Sequence, residues 1–184
     1  QPLANSYLKK GNLGQKEKKF KLEVAFNEKN YLVSIVNTVP KEKMFNNTYP
    51  YKSSESKTMR KSFKDLTTKI KKNFKPNFII EIGSNDGVFL KNFSKKKIVG
   101  VEPCKNLAKL TRNINYTTYS EYWSTKLAKK ITRNKKAELI YSANTLSHIK
   151  NLNEIFRAIN FSLSEKGILI LEDPSLLKCI KNVA

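Results

Sequence analysis

The sequence has 184 residues, 39% of them hydrophobic and 28% charged, and its 36 Lys and Arg outweigh 15 Asp and Glu to give a net charge of +21. That length holds one domain, or one domain with an appendage, and no run approaches the ~18 apolar residues of a membrane-spanning helix. The apolar share excludes global disorder, and two cysteines, Cys104 and Cys179, are too few for a disulfide framework. A reducing, cytoplasmic setting is expected. The chain opens without Met and without a basic, apolar leader, so a fragment of a longer protein is expected. The positive charge invites a polyanion partner. Its make-up argues otherwise: 32 bases are Lys and only 4 are Arg, beside 20 Asn. Readers of phosphates and base edges favour the bidentate Arg fork. The lysine runs at 16–19, 69–72 and 95–97 therefore read as solvated surface, and nucleic acid is the weaker reading.

The first fifty residues read as β-rich. Phe20, Leu22, Val24 and Phe26 alternate with Lys21, Glu23 and Ala25, the pattern of a half-buried strand. Residues 31–36 form a second strand. The polar Asn27-Glu28-Lys29-Asn30 between them predicts a hairpin. A short helical turn follows over 41–45. Residues 53–74 read as an amphipathic helix, capped by Ser53 or Ser54, with Met59, Phe63, Leu66, Ile70 and Phe74 on one stripe and Pro76 ending it.

From residue 78 the pattern becomes alternating strand and helix. Strands are expected over 78–82, 97–101, 115–118, 137–143 and 167–171. Helices are expected over 88–93, 104–112, around Trp123, Leu127 and Ile131, and over 152–163 with Ile155, Phe156 and Ile159 inward. Such alternation implies a parallel sheet covered on both faces.

The most informative stretch is Glu81-Ile82-Gly83-Ser84-Asn85-Asp86-Gly87, between the first buried strand and the next helix. Gly83 and Gly87 permit a tight turn and close approach of a ligand. A helix amino terminus behind them favours an anion. Asp86 either orients the turn or caps that helix. The second strand ends in Glu102, placed to accept hydrogen bonds from ribose hydroxyls. Turn, strand and acid together indicate a nucleoside-containing cofactor. The dinucleotide fingerprint wants a glycine where Asn85 stands, so a dehydrogenase is disfavoured.

The spacing E-x-G-x-x-x-G resembles the first motif of class I S-adenosylmethionine (AdoMet) methyltransferases. More narrowly, the chain resembles the nucleotide-sugar C-methyltransferases of deoxysugar biosynthesis. Pro2-Leu3-Ala4-Asn5-Ser6-Tyr7-Leu8, Tyr49-Pro50-Tyr51-Lys52-Ser53-Ser54-Glu55-Ser56, Glu81 to Gly87, Gly100-Val101-Glu102-Pro103 and Ala143-Asn144-Thr145-Leu146-Ser147-His148-Ile149 follow that family's motifs in order, and residues 167–174 resemble its fifth strand and the E-x-P after it. The resemblance implies an α/β fold: a Rossmann-like class I AdoMet-methyltransferase sheet, with about five of seven strands present, preceded by a small β-hairpin and helix module. It divides the chain into a degenerate zinc-ribbon-like module at 1–52, a linking helix at 53–76 and an AdoMet-binding domain at 77–184, incomplete at its carboxyl end.

By the same resemblance, Glu81, Gly83, Ser84, Asn85, Asp86, Gly87, Glu102, Pro103, Ala143 and Asn144 hold the cofactor. Tyr51 and His148 line the sugar side and are the candidate catalytic residues. The expected substrate is a nucleotide-linked 4-keto-deoxysugar, methylated at carbon through an enolate. The alternatives are a nucleic-acid methyltransferase and a non-catalytic remnant of the fold that binds a partner. The family's zinc module carries two Cys where this chain has Asn27 and Asn30, and Asn is no such ligand, so no zinc is expected. No membrane partner is expected. An exposed sheet edge after the fifth strand is expected to favour self-association.

Overall fold

The computed structural model describes residues 1–182; Val183 and Ala184, the end of the expected 77–184 domain, lie outside the described residues. The chain divides into two units, Gln1–Tyr51 and Lys52–Ala184.

In the first unit β1 (Val24–Asn27) and β2 (Leu32–Ile35) form the expected antiparallel hairpin, and α1 (Lys41–Met44) follows. The hairpin turn is built by its asparagines. Asn27 Oδ1 accepts from Lys29 N at 2.9 Å, and Asn30 Oδ1 accepts from Leu32 N at 3.1 Å. These are local side-chain turns of the kind Asn favours. The expected half-buried face is not found: every residue of β1 is exposed, Phe26 at 57%.

The second unit begins with a one-turn 3-10 segment at Ser53–Glu55, and α2 runs over Lys57–Asn73. The expected cap at Ser53 or Ser54 is corrected. Ser56 caps α2, its hydroxyl accepting from Met59 N at 3.2 Å. Phe63, Thr67 and Ile70 of α2 are buried, while Phe74 at its end is exposed.

Five strands follow: β3 (Ile79–Ile82), β4 (Ile98–Val101), β5 (Thr117–Tyr119), β6 (Ala137–Ala143) and β7 (Leu163–Glu172). They form one parallel sheet in the order β5-β4-β3-β6-β7. The β3 strand is apolar but for Glu81 and fully buried, as a strand covered on both faces must be. The connecting helices are α3 (Lys105–Asn113), α4 (Thr125–Ile131) and α5 (Leu152–Ser162); α6 (Leu176–Asn182) follows β7. One core packs Ile80, Ile82, Val101, Trp123, Leu127, Ile140, Ile155 and Ile159. The other packs Phe63, Ile70, Ile79, Phe89, Leu139 and Tyr141, with Phe89 stacked on Tyr141 at 4.0 Å between centroids.

Three expectations on helices change. The expected helix over 88–93 is only a 3-10 turn at Leu90–Asn92. The Asn92 side-chain amide donates to the Val88 and Phe89 carbonyls at 2.8 and 3.1 Å, and its N–H makes the 3-10 bond to Phe89 O at 3.0 Å, the local competition with helix that Asn offers. Trp123 lies ahead of α4 rather than on it, buried in the core at 6% exposure. Phe156 of α5 faces outward, 42% exposed, because Ile155, Ala158 and Ile159 take the inward stripe.

Candidate functional site

Strand order reverses at β3, with β4 on one side and β6 on the other. Ligands of open parallel sheets bind at the carboxyl ends of the strands beside such a reversal. The glycine turn leaves β3 there. Gly83, Asn85 and Gly87 all have left-handed backbone, at φ 77°, 48° and 82°. A side chain at Gly83 would run into Thr145, which follows β6. A Cβ at Gly87 would lie 2.6 Å from Thr111 Cγ2. Both glycines therefore serve close packing as well as the turn. Because no α-helix follows, the expected anion-favouring helix terminus is corrected.

What the turn gathers is acid. Glu81, Asp86 and Glu102 are 4%, 3% and 5% exposed, and Ser84 is 1% exposed. Glu102 accepts from Asn85 N and from Cys104 N, each at 2.8 Å. Those bonds use both of its oxygens once, and a carboxylate offers about four acceptor sites. Burial pushes the Glu81 carboxyl well above the ordinary carboxylate range, the Glu102 charge adds to this, a Leu90 N–H opposes it, and Asp86 raises it further. Burial also raises Glu102, against the N–H and the thiol of Cys104 and the N–H of Asn85. Burial and then the Glu102 charge push the Cys104 thiol up. Glu81 Oε2 and Ser84 Oγ are buried with no hydrogen-bond partner. A buried, unpaired carboxylate oxygen is expensive unless a cation or donor meets it.

The other expected cofactor residues sit around this cluster. Pro103 is half-buried after β4. Ala143 ends β6, and Asn144, exposed and left-handed at φ 49°, donates its N–H to Glu172 O at 2.7 Å. His148 is exposed and closes a 3-10 turn, Leu146–His148, whose Leu146 is buried, after β6. It stands beyond the same carboxyl edge of the sheet as Glu81 and Glu102. Tyr51 ends the first unit and is 43% exposed. Sequence reasoning missed two participants. Ser53 N donates to Asn85 Oδ1 at 2.9 Å, and Ser54 N donates to Asp86 Oδ1 at 3.1 Å. The Ser54 hydroxyl also donates to Asp86 Oδ2. Tyr141 OH donates to Glu172 Oε2 at 3.1 Å, and burial and that carboxylate push the phenol up. No periodicity signals either contact, since each joins segments far apart in the chain. Among the described residues no group of three His, Cys, Asp or Glu side chains is gathered to hold a metal. No helix among them is long and apolar enough to cross a membrane.

A family model described as a methyltransferase domain matches residues 56–180, well over half of the chain. Solved structures share the fold at low identity. An S-adenosylmethionine-dependent methyltransferase from Clostridium acetobutylicum ATCC 824 is 16% identical with a TM-score of 0.54, over 68% of this chain and 55% of that one. A SAM-dependent methyltransferase from Archaeoglobus fulgidus is 16% identical with a TM-score of 0.54, over 64% and 54%. The plantazolicin methyltransferase BpumL, in complex with a pentazolic desmethylPZN analog and SAH, is 18% identical with a TM-score of 0.55, over 70% and 52%. The chain thus spans about half the length of these structures. No curated protein matches it.

Proposed function

The chain belongs to this methyltransferase-domain family, and on that premise we propose that its glycine-turn cleft binds AdoMet for methyl transfer. The observation that carries the reading is the buried acid cluster where strand order reverses. Glu81 Oε2 and Ser84 Oγ are unpartnered there, and Glu102 has acceptor sites to spare. A ligand with two cationic centres and a ribose diol fits that donor deficit. In the bound state Glu102 and Pro103 would hold the ribose, and Glu81, Ser84, Ala143 and Asn144 the methionine part. Gly83, Asn85 and Gly87 shape the wall, with Asp86 behind them. AdoMet supplies an electrophilic methyl carbon on sulfur.

The finer reading rests on the sugar-family motifs. The substrate proposed is a nucleotide-linked 4-keto-deoxysugar, and the acceptor is the carbon beside its ketone. A base takes that carbon's proton, and the enolate's electron pair would form the new C–C bond as the methyl carbon's bond to sulfur breaks and its electron pair stays with the departing thioether, S-adenosylhomocysteine. His148 is the proposed proton carrier, because it stands exposed after β6 at the carboxyl edge of the sheet. Tyr51 is proposed on the sugar side. No zinc is proposed.

The test is calorimetric titration of S-adenosylhomocysteine into the chain and into Glu102→Gln. Hydrogen bonds to a charged group contribute ~1.5–3 kcal/mol, so the variant should bind about tenfold or more weakly. A folded wild-type chain that binds none would overturn the cofactor reading.

A further inference from the structure

The acid cluster is closed in this structure. Glu81, Ser84 and Glu102 are 4%, 1% and 5% exposed, so a nucleoside-sized ligand reaches them only after something moves. The strand ends beside them belong to the core and cannot yield locally. The Ser53–Ser54 turn is different. It is one 3-10 turn long, with Ser53 buried, Ser54 half-buried and Glu55 exposed, and side-chain hydrogen bonds rather than a strand ladder hold it. Segments with so little packing open at low free energy.

The turn is nonetheless tied firmly at one place. Ser53 N is held by Asn85 Oδ1 at 2.9 Å, and Asn85 N is held in turn by Glu102 at 2.8 Å. Ser54 gives both its N–H and its hydroxyl to the Asp86 carboxylate. The far side of the turn is fixed by Arg60, which donates to the Ser54 carbonyl. Bonds to a carboxylate are charge-assisted and roughly twice as strong as neutral ones. Both Asp86 oxygens are thereby engaged, and its side chain faces the serine turn.

We propose that Asp86 is a positioning residue that clamps the Ser53–Ser54 turn onto the glycine turn as a latch, and that ligand entry and release at Glu102 require this latch to open. The proposal rests on the cofactor reading above. The latch's geometry explains an acid buried beside two others: Asp86 holds the latch while Glu81 and Glu102 face the ligand.

The test uses Ser54→Ala, Ser54→Thr, Asp86→Asn and the Ser54→Ala/Asp86→Asn double variant. Two readouts apply: amide hydrogen exchange at Ser53 and Ser54 in the ligand-free chain, and release of radiolabelled S-adenosylhomocysteine by rapid filtration. Ser54→Ala and Asp86→Asn should each speed release about tenfold. Ser54→Thr keeps the hydroxyl and should stay within about twofold of wild type. The double variant should release no faster than the faster single one, because both remove the same contact. Exchange at the Ser54 amide should accelerate in Asp86→Asn without ligand. Should Asp86→Asn fail to fold, the alanine and threonine pair at residue 54 decides alone. Wild-type release rates in Ser54→Ala, or equal rates in Ser54→Ala and Ser54→Thr, would overturn the latch. A wild-type chain that binds no S-adenosylhomocysteine overturns the cofactor reading instead, and faster exchange in Ser54→Ala would then still support the clamp.

Discussion

Gly83→Ala isolates the point where the glycine turn meets the sheet. Gly83 has φ +77°, and an added Cβ would overlap the Thr145 hydroxyl and lie 2.9 Å from Thr145 Cγ2. Thr145 is not free to swing aside, because its hydroxyl donates to the Ala143 carbonyl at 2.9 Å. The left-handed backbone alone costs a residue with a Cβ about 1–2 kcal/mol. Overpacking a fitted contact adds about 1–3 kcal/mol. The sum, about 2–5 kcal/mol, is a large share of a domain's ~5–15 kcal/mol stability. Urea unfolding followed by circular dichroism reads it as a lower midpoint at unchanged slope. Thr145→Ala removes the overlapping atoms, so in the Gly83→Ala background it should restore the packing part and leave the backbone part. The double-mutant cycle should therefore show coupling of at least ~1 kcal/mol. A Gly83→Ala loss under about 0.5 kcal/mol, or strict additivity with Thr145→Ala, would refute this account of why glycine stands there.

Ser56→Ala should destabilise the second unit by about 1 kcal/mol through loss of the α2 cap, and an unchanged urea midpoint would remove Ser56 from that role. Glu81→Gln should stabilise the ligand-free chain at neutral and basic pH. Its carboxyl titrates above the ordinary 4.5 in the fold, so stability from the group is complete below 4.5 and is lost as pH rises toward the raised folded value. The gain from Gln should accordingly shrink on acidification, and an equal gain at every pH would refute the burial argument. The chain should self-associate, since among the described residues β7 is an edge strand paired through β6 alone. Light scattering that shows a clean monomer at high concentration would count against that.

How far the sequence spoke for itself depended on what kind of contact a feature uses. Mostly apolar runs broken by single polar residues placed β3 and β6 almost to the residue, because a strand buried on both faces writes its own pattern. The glycine spacing located the turn, and Glu102 fell at the end of β4 as expected. Failure came where a side chain competed with the backbone or where neighbours decided burial. Asn92 broke a helix that its flanking residues favour. Phe26 and Phe74 sat at core spacings and are exposed at 57% and 49%. The Ser54 to Asp86 contact spans 32 residues and leaves no periodic trace. Its two ends were each visible, as a cap candidate and as a turn residue, but only the folded chain shows that they satisfy each other.

The charge balance misleads for a related physical reason. A chain with net charge +21 buries three carboxylates at one edge of its sheet. Net charge describes the far field, whereas a ligand in a closed cleft meets the few groups that line it. The lysines also spend their stems on the fold. Lys71 lies 5.2 Å from the Phe93 ring, Lys95 5.6 Å from Tyr116, Lys130 5.0 Å from Tyr119 and Lys136 3.4 Å from Phe161. These ammonium groups lie over aromatic rings, and those of Lys71, Lys130 and Lys136 also donate to Asn92 O, Glu121 Oε1 and Phe161 O. On the proposed reading the ligand at Glu81 and Glu102 is cationic and hydroxyl-bearing, inside a protein whose surface would attract anions. A steep loss of S-adenosylhomocysteine affinity with added salt would contradict this, because contacts so buried are screened far less than surface ones.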